Sequence, residues 1–265
     1  MPFGLTNAPA TFQGMMNDIF KQHLDEFVTI YIDDMLIFSK TFEEHLQHLE
    51  IVLRKLKENK LYGRESKCEF LQKEIEFLGH IVSDKGVAVD PRKTKVIKEW
   101  PQPTSVTEVR SFLGMANYYK KFVKDFAQIA AHLTYLLKKG VPLEWKAEQE
   151  KAFSTLKQKL VKALVLRTPD FKLPFVVTTD ASDYAIGQVL QQDNRNGLKP
   201  VAYESRKLTP AEKNYAIHEK ELLAIIHILK VWRVYLEGQK FKVITDSKSL
   251  CYLQTQSILS SRQAR

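Results

Sequence analysis

The chain has 265 residues, of which 44% are apolar, and it carries a formal net charge of +9 at neutral pH. That length and apolar content suffice for two domains with substantial cores. Two cysteines are too few for a protein held together by several disulfides. No apolar run approaches the roughly 20 residues of a membrane-spanning helix, which excludes a helical membrane anchor. We expect no secretory signal, since the N-terminus lacks a basic region followed by an apolar stretch, and we expect a reducing compartment.

The first third of the chain predicts a unit that mixes helices and strands. A helix is expected from Asn7 to about Gln22, because Asn is a favourable N-cap residue. Apolar residues at helical spacing predict a second helix over residues 42–59. Between the two helices, β-branched and aromatic runs predict a hairpin. Short strands are expected over residues 68–82.

Two adjacent carboxylates, Asp33 and Asp34, interrupt the apolar run of the predicted hairpin. Charges are expensive to bury, so a cation should compensate them. Two acids at the tip of a hairpin are therefore a candidate site for a divalent metal ion. The simpler interpretation is that Asp is a favourable turn residue exposed to water.

The middle third predicts a largely helical region. Residues 86–91 predict a turn into a helix. After a break at Trp100-Pro101, Ser105 and Glu108 have the spacing of a capping box, which predicts the start of further helices. A last helix of this region is expected over residues 148–164.

The positive charge of the chain is concentrated in this helical region. From Lys85 to Lys162 there are 16 Lys and Arg against 7 Asp and Glu, an excess equal to that of the whole chain. Lysines alternate there with aromatic residues, a mixture suited to contact with nucleic-acid phosphates. The candidate contacts are Lys120, Lys121 and Lys124. The alternative is a solvated basic face on amphipathic helices, with the aromatics in the core.

The last third predicts a domain with strands and one long helix. The expected elements are a strand over 175–179, a strand over 185–191, a helix over 213–236 and a strand over 241–245. Two of these strands end at an acid, Asp180 and Asp246, and the helix carries Glu221. Three such carboxylates can converge on divalent metal ions. From the residues alone, Glu219 is as good a candidate as Glu221, and a solvated helix residue explains either.

Several blocks of sequence resemble one family. Tyr31-Ile32-Asp33-Asp34 resembles the Tyr-x-Asp-Asp box of reverse transcriptases, and residues 1–12 look like the segment that precedes it in gypsy-type LTR retrotransposons. Residues 77–80 are similar to the primer-grip hairpin, and residues 100–119 to the start of the thumb. The blocks Thr179–Ser182, Glu219–Ala224 and Thr245–Ser247 match the ribonuclease H domain. The chain is thereby identified as similar to the reverse transcriptase–ribonuclease H polyproteins of metavirid retrotransposons.

The resemblance implies an α+β palm and thumb fragment of a polymerase followed by an α/β ribonuclease H-like domain with a mixed sheet and flanking helices. Residues 1–84 would be a partial palm with the Tyr-Ile-Asp-Asp hairpin and the primer grip. Residues 85–167 would be thumb and connection. Residues 168–265 would be a ribonuclease H-like domain that is incomplete at its C-terminus.

The resemblance also implies roles for individual residues. Asp33 and Asp34 would hold metal ions for polymerisation, and Asp180, Glu221 and Asp246 would hold them for hydrolysis, with Mg²⁺ or Mn²⁺ as the ion. Further residues would contact the nucleotide or the primer: Phe3 and Gly4 in the nucleotide pocket, Tyr31 at the primer terminus, and Phe77, Leu78, Gly79 and His80 along the primer backbone. No second His or Cys is spaced to join His80 as a metal ligand.

The implied function is DNA synthesis on RNA or DNA templates with hydrolysis of the RNA strand of hybrids. Its partners would be primer–template nucleic acid, RNA–DNA hybrid and dNTP, and no membrane would be involved. A homodimer is left open. The protein would work in cytoplasmic virus-like particles and in the nucleus. The family has a third polymerase Asp upstream and a fourth ribonuclease H ligand downstream, so we expect a chain truncated at both ends with impaired activity. The alternative is a catalytically dead or domesticated remnant that only binds nucleic acid. A purely structural protein leaves the acidic triad unexplained.

Overall fold

The structure is a computed structural model that describes residues 6–193, 197–247 and 250. The chain forms two compact units, Met1–Gly79 and His80–Arg265. The predicted boundaries near residues 84 and 167 remain a prediction. Within the described residues, no helix has both the length and the apolar character needed to span a membrane.

The first unit has the predicted order of helix, hairpin and helix. Its elements are α1 (Ala8–Phe20), β1 (Val28–Tyr31), β2 (Asp34–Ile37), α2 (Phe42–Glu58) and β3 (Glu74–Phe77). The helix α2 begins at a capping box, in which the Thr41 hydroxyl accepts the Glu44 N–H and the Glu44 carboxylate accepts the Thr41 N–H. Phe20 and Val28 are fully buried in the core, so α1 packs on the hairpin and fixes its position.

The helical part of the second unit begins with a strand pair. Its elements are β4 (His80–Ser83), β5 (Gly86–Val89), α3 (Pro91–Glu99), α4 (Val106–Tyr118), α5 (Phe126–Ile129), α6 (Ala131–Tyr135) and α7 (Ala147–Val161). The turn predicted over residues 86–91 is wrong, because β5 pairs with β4 and also exchanges backbone hydrogen bonds with Leu166. Gly86 permits this close approach, since a Cβ there would clash with the Leu166 carbonyl oxygen.

The core of this helical part is aromatic. Phe112 is fully buried. The centroid of its ring lies 5.9 Å from that of Trp100 and 4.6 Å from that of Phe153. The Lys157 ammonium donates a hydrogen bond to the Trp100 carbonyl. These contacts hold α4 and α7 together.

The second unit continues into a mixed sheet, as predicted, but the sheet has four strands, and the strand over Leu198–Lys207 was not predicted. Its elements are β6 (Phe175–Ala181), β7 (Ala185–Asp193), β8 (Leu198–Lys207), α8 (Pro210–Lys213), α9 (Ile217–Val231), α10 (Arg233–Leu236) and β9 (Phe241–Ile244). The strand order is β8-β7-β6-β9, and only the pair β6 and β9 is parallel.

The single helix predicted over residues 213–236 is wrong, because the segment is divided into three helices. Ala216 has extended backbone angles and its N–H is accepted by the Glu219 carboxylate, so a new helix begins there. The break at Trp232 lets its side chain enter the core with Phe175 and Ile228. The helix α9 therefore lies against one face of the sheet.

Candidate active sites

Three carboxylates converge at one end of the sheet in the second unit. The parallel register pairs Thr178 of β6 with Ile244 of β9, which places Asp180 and Asp246, each two residues further on, side by side. Glu221, in the first turns of α9, faces them. One oxygen of each of the three lies within 4.8 Å of the others. The structure thus brings together three predicted site residues that are distant in sequence.

Glu221 is held more firmly than the two aspartates. Its side chain is buried, whereas Asp180 and Asp246 are exposed. Its Oε1 accepts the Ala181 N–H at 2.9 Å, and its Oε2 accepts the Thr245 hydroxyl at 3.1 Å. Burial raises the pKa of Glu221, and the nearby charges of Asp246 and Asp180 raise it further, against the two hydrogen bonds.

The other candidate acid of this helix has a different role. Glu219 caps the start of α9 through the Ala216 N–H, at 3.4 Å. The cap satisfies a backbone donor that would otherwise have no partner. The choice between Glu219 and Glu221, which the residues alone left open, therefore depends on where the helix begins.

A buried lysine connects α9 to the turn between β6 and β7. The Lys220 ammonium, whose side chain is 5% exposed, donates to the Asp183 carboxylate at 2.8 Å, while Asp183 is 80% exposed. Lys220 precedes Glu221, and Asp183 lies in the turn that follows Asp180. The pair therefore fixes the distance between the helical and the strand ligand, a contact that sequence reasoning missed.

The three carboxylates fit a divalent metal ion. All donors are oxygens, which suit Mg²⁺, Mn²⁺ or Ca²⁺ rather than softer metals. Within the described part of the chain, no Lys or Arg forms an ion pair with any of them. Their mutual repulsion is thus uncompensated by protein cations, and a bound cation would relieve it.

A segment of the helical part lies on the sheet face next to Asp180. The Ser205 hydroxyl of β8 accepts the Ala127 N–H at 2.8 Å. A Cβ on Gly187, the β7 partner of Asp180, would lie 2.8 Å from an oxygen of Asp125. Sequence reasoning missed Asp125, since its position beside the sheet results from tertiary packing.

The predicted hairpin of the first unit also forms, and its turn is strained. Tyr31 pairs with Asp34, so Ile32 and Asp33 are the two turn residues. Ile32 has a φ of 52°, a left-handed conformation that a β-branched residue rarely adopts. Gln13 of α1 binds the turn, because its amide oxygen accepts the Ile32 N–H and its amide nitrogen donates to the Ile30 carbonyl.

The hairpin presents its acids to solvent. Asp33 and Asp34 are both exposed, and Tyr31 is 55% exposed. In the described residues, these two aspartates have no third acidic, His or Cys side chain placed to share a metal ion with them. Phe3 and Gly4, the predicted nucleotide-pocket residues, lie outside the described residues.

The predicted primer-grip residues span the end of β3 and the start of β4. Phe77 ends β3, Leu78 and Gly79 have left-handed φ values of 48° and 69°, and His80 begins β4. The His80 ring stacks on Tyr118 with centroids 5.5 Å apart. Burial, with a smaller effect of the Lys121 charge, lowers the pKa of His80 to about 4, so the ring is neutral at pH 7.

The three predicted nucleic-acid lysines have different surroundings. Lys120 is paired with Glu204 of β8 at 3.2 Å. Lys121 lies over the ring of Phe122, 5.3 Å from its centroid, and burial lowers the pKa of its ammonium. Lys124 is exposed.

Comparison with known proteins identifies two domains in the chain. Residues 1–82 match the family model described as reverse transcriptase (RNA-dependent DNA polymerase), and residues 145–243 match the RNase H-like domain found in reverse transcriptase. The chain thus combines a reverse transcriptase-like fragment with an RNase H-like domain that follows it. Its first unit, Met1–Gly79, is called the reverse-transcriptase unit, and β6 to β9 with α9 are called the ribonuclease H-like sheet.

Curated proteins that are similar to this chain include transposon polyproteins. It is 44% identical over 254 residues to the retrovirus-related Pol polyprotein from transposon 297 of Drosophila melanogaster, covering 96% of the chain and 24% of the relative. It is 41% identical over 253 residues to the transposon Tf2-3 polyprotein of Schizosaccharomyces pombe, covering 94% of the chain and 19% of the relative. The chain thus spans a quarter or less of these two relatives.

Similar solved structures come from foamy virus. The protease-reverse transcriptase dRH in complex with dsDNA has a TM-score of 0.85 and 27% identity, covering 99% of this chain and 47% of that one. The protease-reverse transcriptase in complex with an RNA/DNA hybrid has a TM-score of 0.79 and 27% identity, covering 100% and 36%.

The first prediction concerns the strained turn. We expect Ile32→Gly to leave the unfolding free energy of the reverse-transcriptase unit unchanged or higher, because glycine adopts the left-handed conformation without strain. Thr29→Gly, at an ordinary position of β1 in the same hairpin, should lower it by about 1 kcal/mol. Urea unfolding of the two variants tests this, and an equal loss in both would show that Ile32 is unstrained.

The second prediction concerns Glu221. Its raised pKa means that the folded state prefers the neutral acid, so this stability is complete below the ordinary pKa of Glu and is lost as pH rises through the folded value. In EDTA at pH 7, Glu221→Gln should therefore melt at a higher temperature than the unchanged protein. The difference should vanish by about pH 4. Glu99→Gln, an exposed control, should show neither effect, and a lower melting temperature for Glu221→Gln at pH 7 would contradict the argument.

The third prediction compares the two sides of the Lys220–Asp183 pair. Asp183→Asn leaves a buried ammonium without its carboxylate and should lower the unfolding free energy. Lys220→Met leaves only an exposed carboxylate and should lower it less. Denaturant unfolding of both variants measures the order. A larger cost for Lys220→Met would mean that Lys220 has a further buried partner.

Proposed function

We propose that this protein acts in the synthesis of DNA on RNA templates and in the hydrolysis of the RNA strand of RNA–DNA hybrids. The observation that carries the proposal is the convergence of Asp180, Glu221 and Asp246 within 4.8 Å at one end of the sheet. Such a cluster has no structural benefit by itself, because like charges repel. Its geometry is useful when a divalent cation is bound.

The two aspartates and Glu221 have different roles in this proposal. Asp180 and Asp246 are open to solvent, so they can share a cation, Mg²⁺ or Mn²⁺, with a substrate phosphate. Glu221 is kept in one orientation by the Ala181 N–H and the Thr245 hydroxyl. A pair of divalent ions bound there would lower the pKa of a water molecule and stabilise the leaving oxygen. A cation binds the ionised carboxylate, so the raised pKa of Glu221 couples cation binding to the release of a proton from this carboxyl.

The exposed hairpin of the reverse-transcriptase unit supports the polymerase half. Asp33 and Asp34 would hold the metal ions of an incoming dNTP, and the exposed ring of Tyr31 is free to lie against a primer terminus. Phe77 to His80 would line the primer backbone. His80, neutral at pH 7, would contact a phosphate as a hydrogen-bond donor rather than as a cation.

We further propose that the chain comes from a gypsy-type LTR retrotransposon and works in cytoplasmic particles and in the nucleus. The similarity to transposon polyproteins of Drosophila and Schizosaccharomyces supports this origin. The similar foamy viral proteins were solved in complex with dsDNA and with an RNA/DNA hybrid, which supports nucleic-acid duplexes as partners.

The experiment that tests the proposal follows the release of RNA fragments from an end-labelled RNA–DNA hybrid. The unchanged protein should release fragments only with Mg²⁺ or Mn²⁺. Asp180→Asn and Asp246→Asn should lower the rate on the order of 100-fold or more, since loss of a ligand misplaces the reacting groups. The exposed Asp84→Asn is the matched control and should cleave normally.

Binding of the same hybrid in EDTA separates the enzyme from a remnant that only binds nucleic acid. Both active-site variants should bind as tightly as the unchanged protein. Absence of divalent-dependent cleavage by the unchanged protein, with binding intact, would favour the binding module. Cleavage that survives both substitutions would reject the assigned site.

A further inference from the structure

A concave surface with three lysines lies beside the ribonuclease H-like sheet. This lysine cleft has a volume of about 340 Å³ and an apolar floor. Lys124 lies on one side, Lys159 and Lys162 project from the end of α7 on the other, and Tyr203 of β8 lines it as well. The cleft is therefore formed jointly by the helical part and the sheet of one compact unit.

The lysines of the cleft have no carboxylate within ion-pair distance in the described part of the chain. All three lysines are exposed. Lys120, only four residues before Lys124, differs because Glu204 neutralises it. Three like charges around one concavity repel each other, and an anion bound there would remove that cost.

The position of the cleft relates it to the acidic triad. Tyr203 and Ser205 are two residues apart on β8 and so lie on the same face of the sheet. Ser205, Gly187 and Asp180 form one row across three neighbouring strands. Tyr203 is two strands away from Asp180 across the sheet and two residues along β8 from the row of Asp180. The backbone positions of the two residues are therefore about 12 Å apart. At a rise of about 3.4 Å per base pair, this distance corresponds to three or four base pairs of a duplex.

We propose that the lysine cleft binds the sugar-phosphate backbone of the RNA–DNA hybrid three or four base pairs from the phosphate at the acidic triad. The inference rests on the proposed hydrolysis of hybrids and adds a contact that positions the duplex. The ammonium groups neutralise phosphates, and the apolar floor accepts the sugar edges. Tyr203 remains a neutral hydroxyl because burial and the charge of Asp125 raise its pKa, so it can donate to a phosphate oxygen.

The first arm of the test measures hybrid binding in EDTA as a function of salt. Replacing Lys124, Lys159 and Lys162 by Gln should flatten the slope of log K against log salt by about two to three, since each lost phosphate contact removes about 0.9. The matched control replaces Lys230, Lys240 and Lys242 by Gln, a change of equal charge at exposed positions on α9 and at the opposite edge of the sheet. A loss of slope that exceeds the control by less than about one would overturn the proposal.

The second arm locates the contact on the duplex. Backbone linkages of the hybrid are replaced one at a time by uncharged methylphosphonates. One or two adjacent linkages should weaken binding of the unchanged protein several-fold and leave the triple variant unaffected. Equal sensitivity of both proteins at every linkage would overturn the proposal.

The two proposals fail in different ways. Both binding arms exclude divalent ions, so a protein that never cleaves the hybrid can still show the slope and the linkage pattern. A protein that cleaves normally but shows neither result keeps its proposed function and loses only the cleft.

Discussion

The parallel pairing of β6 with β9 is the constraint on which the nuclease site depends. It places the two strand-end aspartates next to each other, and a slip of one residue would turn one of them to the other face of the sheet. Repulsion between Asp180 and Asp246 opposes this register. The strand hydrogen bonds and the fully buried Phe175 and Val177 maintain it. The site is thus held together by packing beneath it rather than by attraction within it.

The second unit joins its basic helical region to the sheet through polar contacts at β8. Lys120 binds Glu204, the Ser205 hydroxyl accepts the Ala127 N–H, and the Lys207 ammonium binds the Ala131 carbonyl. The first of these contacts uses one of the lysines that the sequence suggested for nucleic acid. Lys124, Lys159 and Lys162, which form no ion pair within the described residues, line the lysine cleft, on the same face of the sheet as Asp180. The helical region therefore contributes to positioning as well as to charge.

The reverse-transcriptase unit differs from the nuclease site, because its two acids are exposed on a rigid hairpin. A left-handed isoleucine in the turn costs on the order of 1–3 kcal/mol, and such strain persists only where the surroundings enforce it. Gln13 of α1 helps to hold the turn in this conformation through its two hydrogen bonds to the turn backbone. Strain and support together fix where Asp33 and Asp34 project.

The sequence by itself determined the first helix–hairpin–helix order, the Asp-Asp hairpin and the strand-end acids, because β-branched runs, caps and turns are local signals. It did not determine the break in the long helix, the strand at Gly86, the strand over Leu198–Lys207 or the choice of Glu221 over Glu219. The strand at Gly86 depends on Leu166, the placement of Glu221 depends on Thr245, and the break at Trp232 depends on burial of its side chain in the core. The Lys220–Asp183 pair, Asp125 beside Gly187 and the joining of Lys124 with Lys159 and Lys162 were likewise decided only by the tertiary structure. The spacing of residues along the chain does not indicate which surfaces pack together, because that depends on the burial of apolar area across the whole unit.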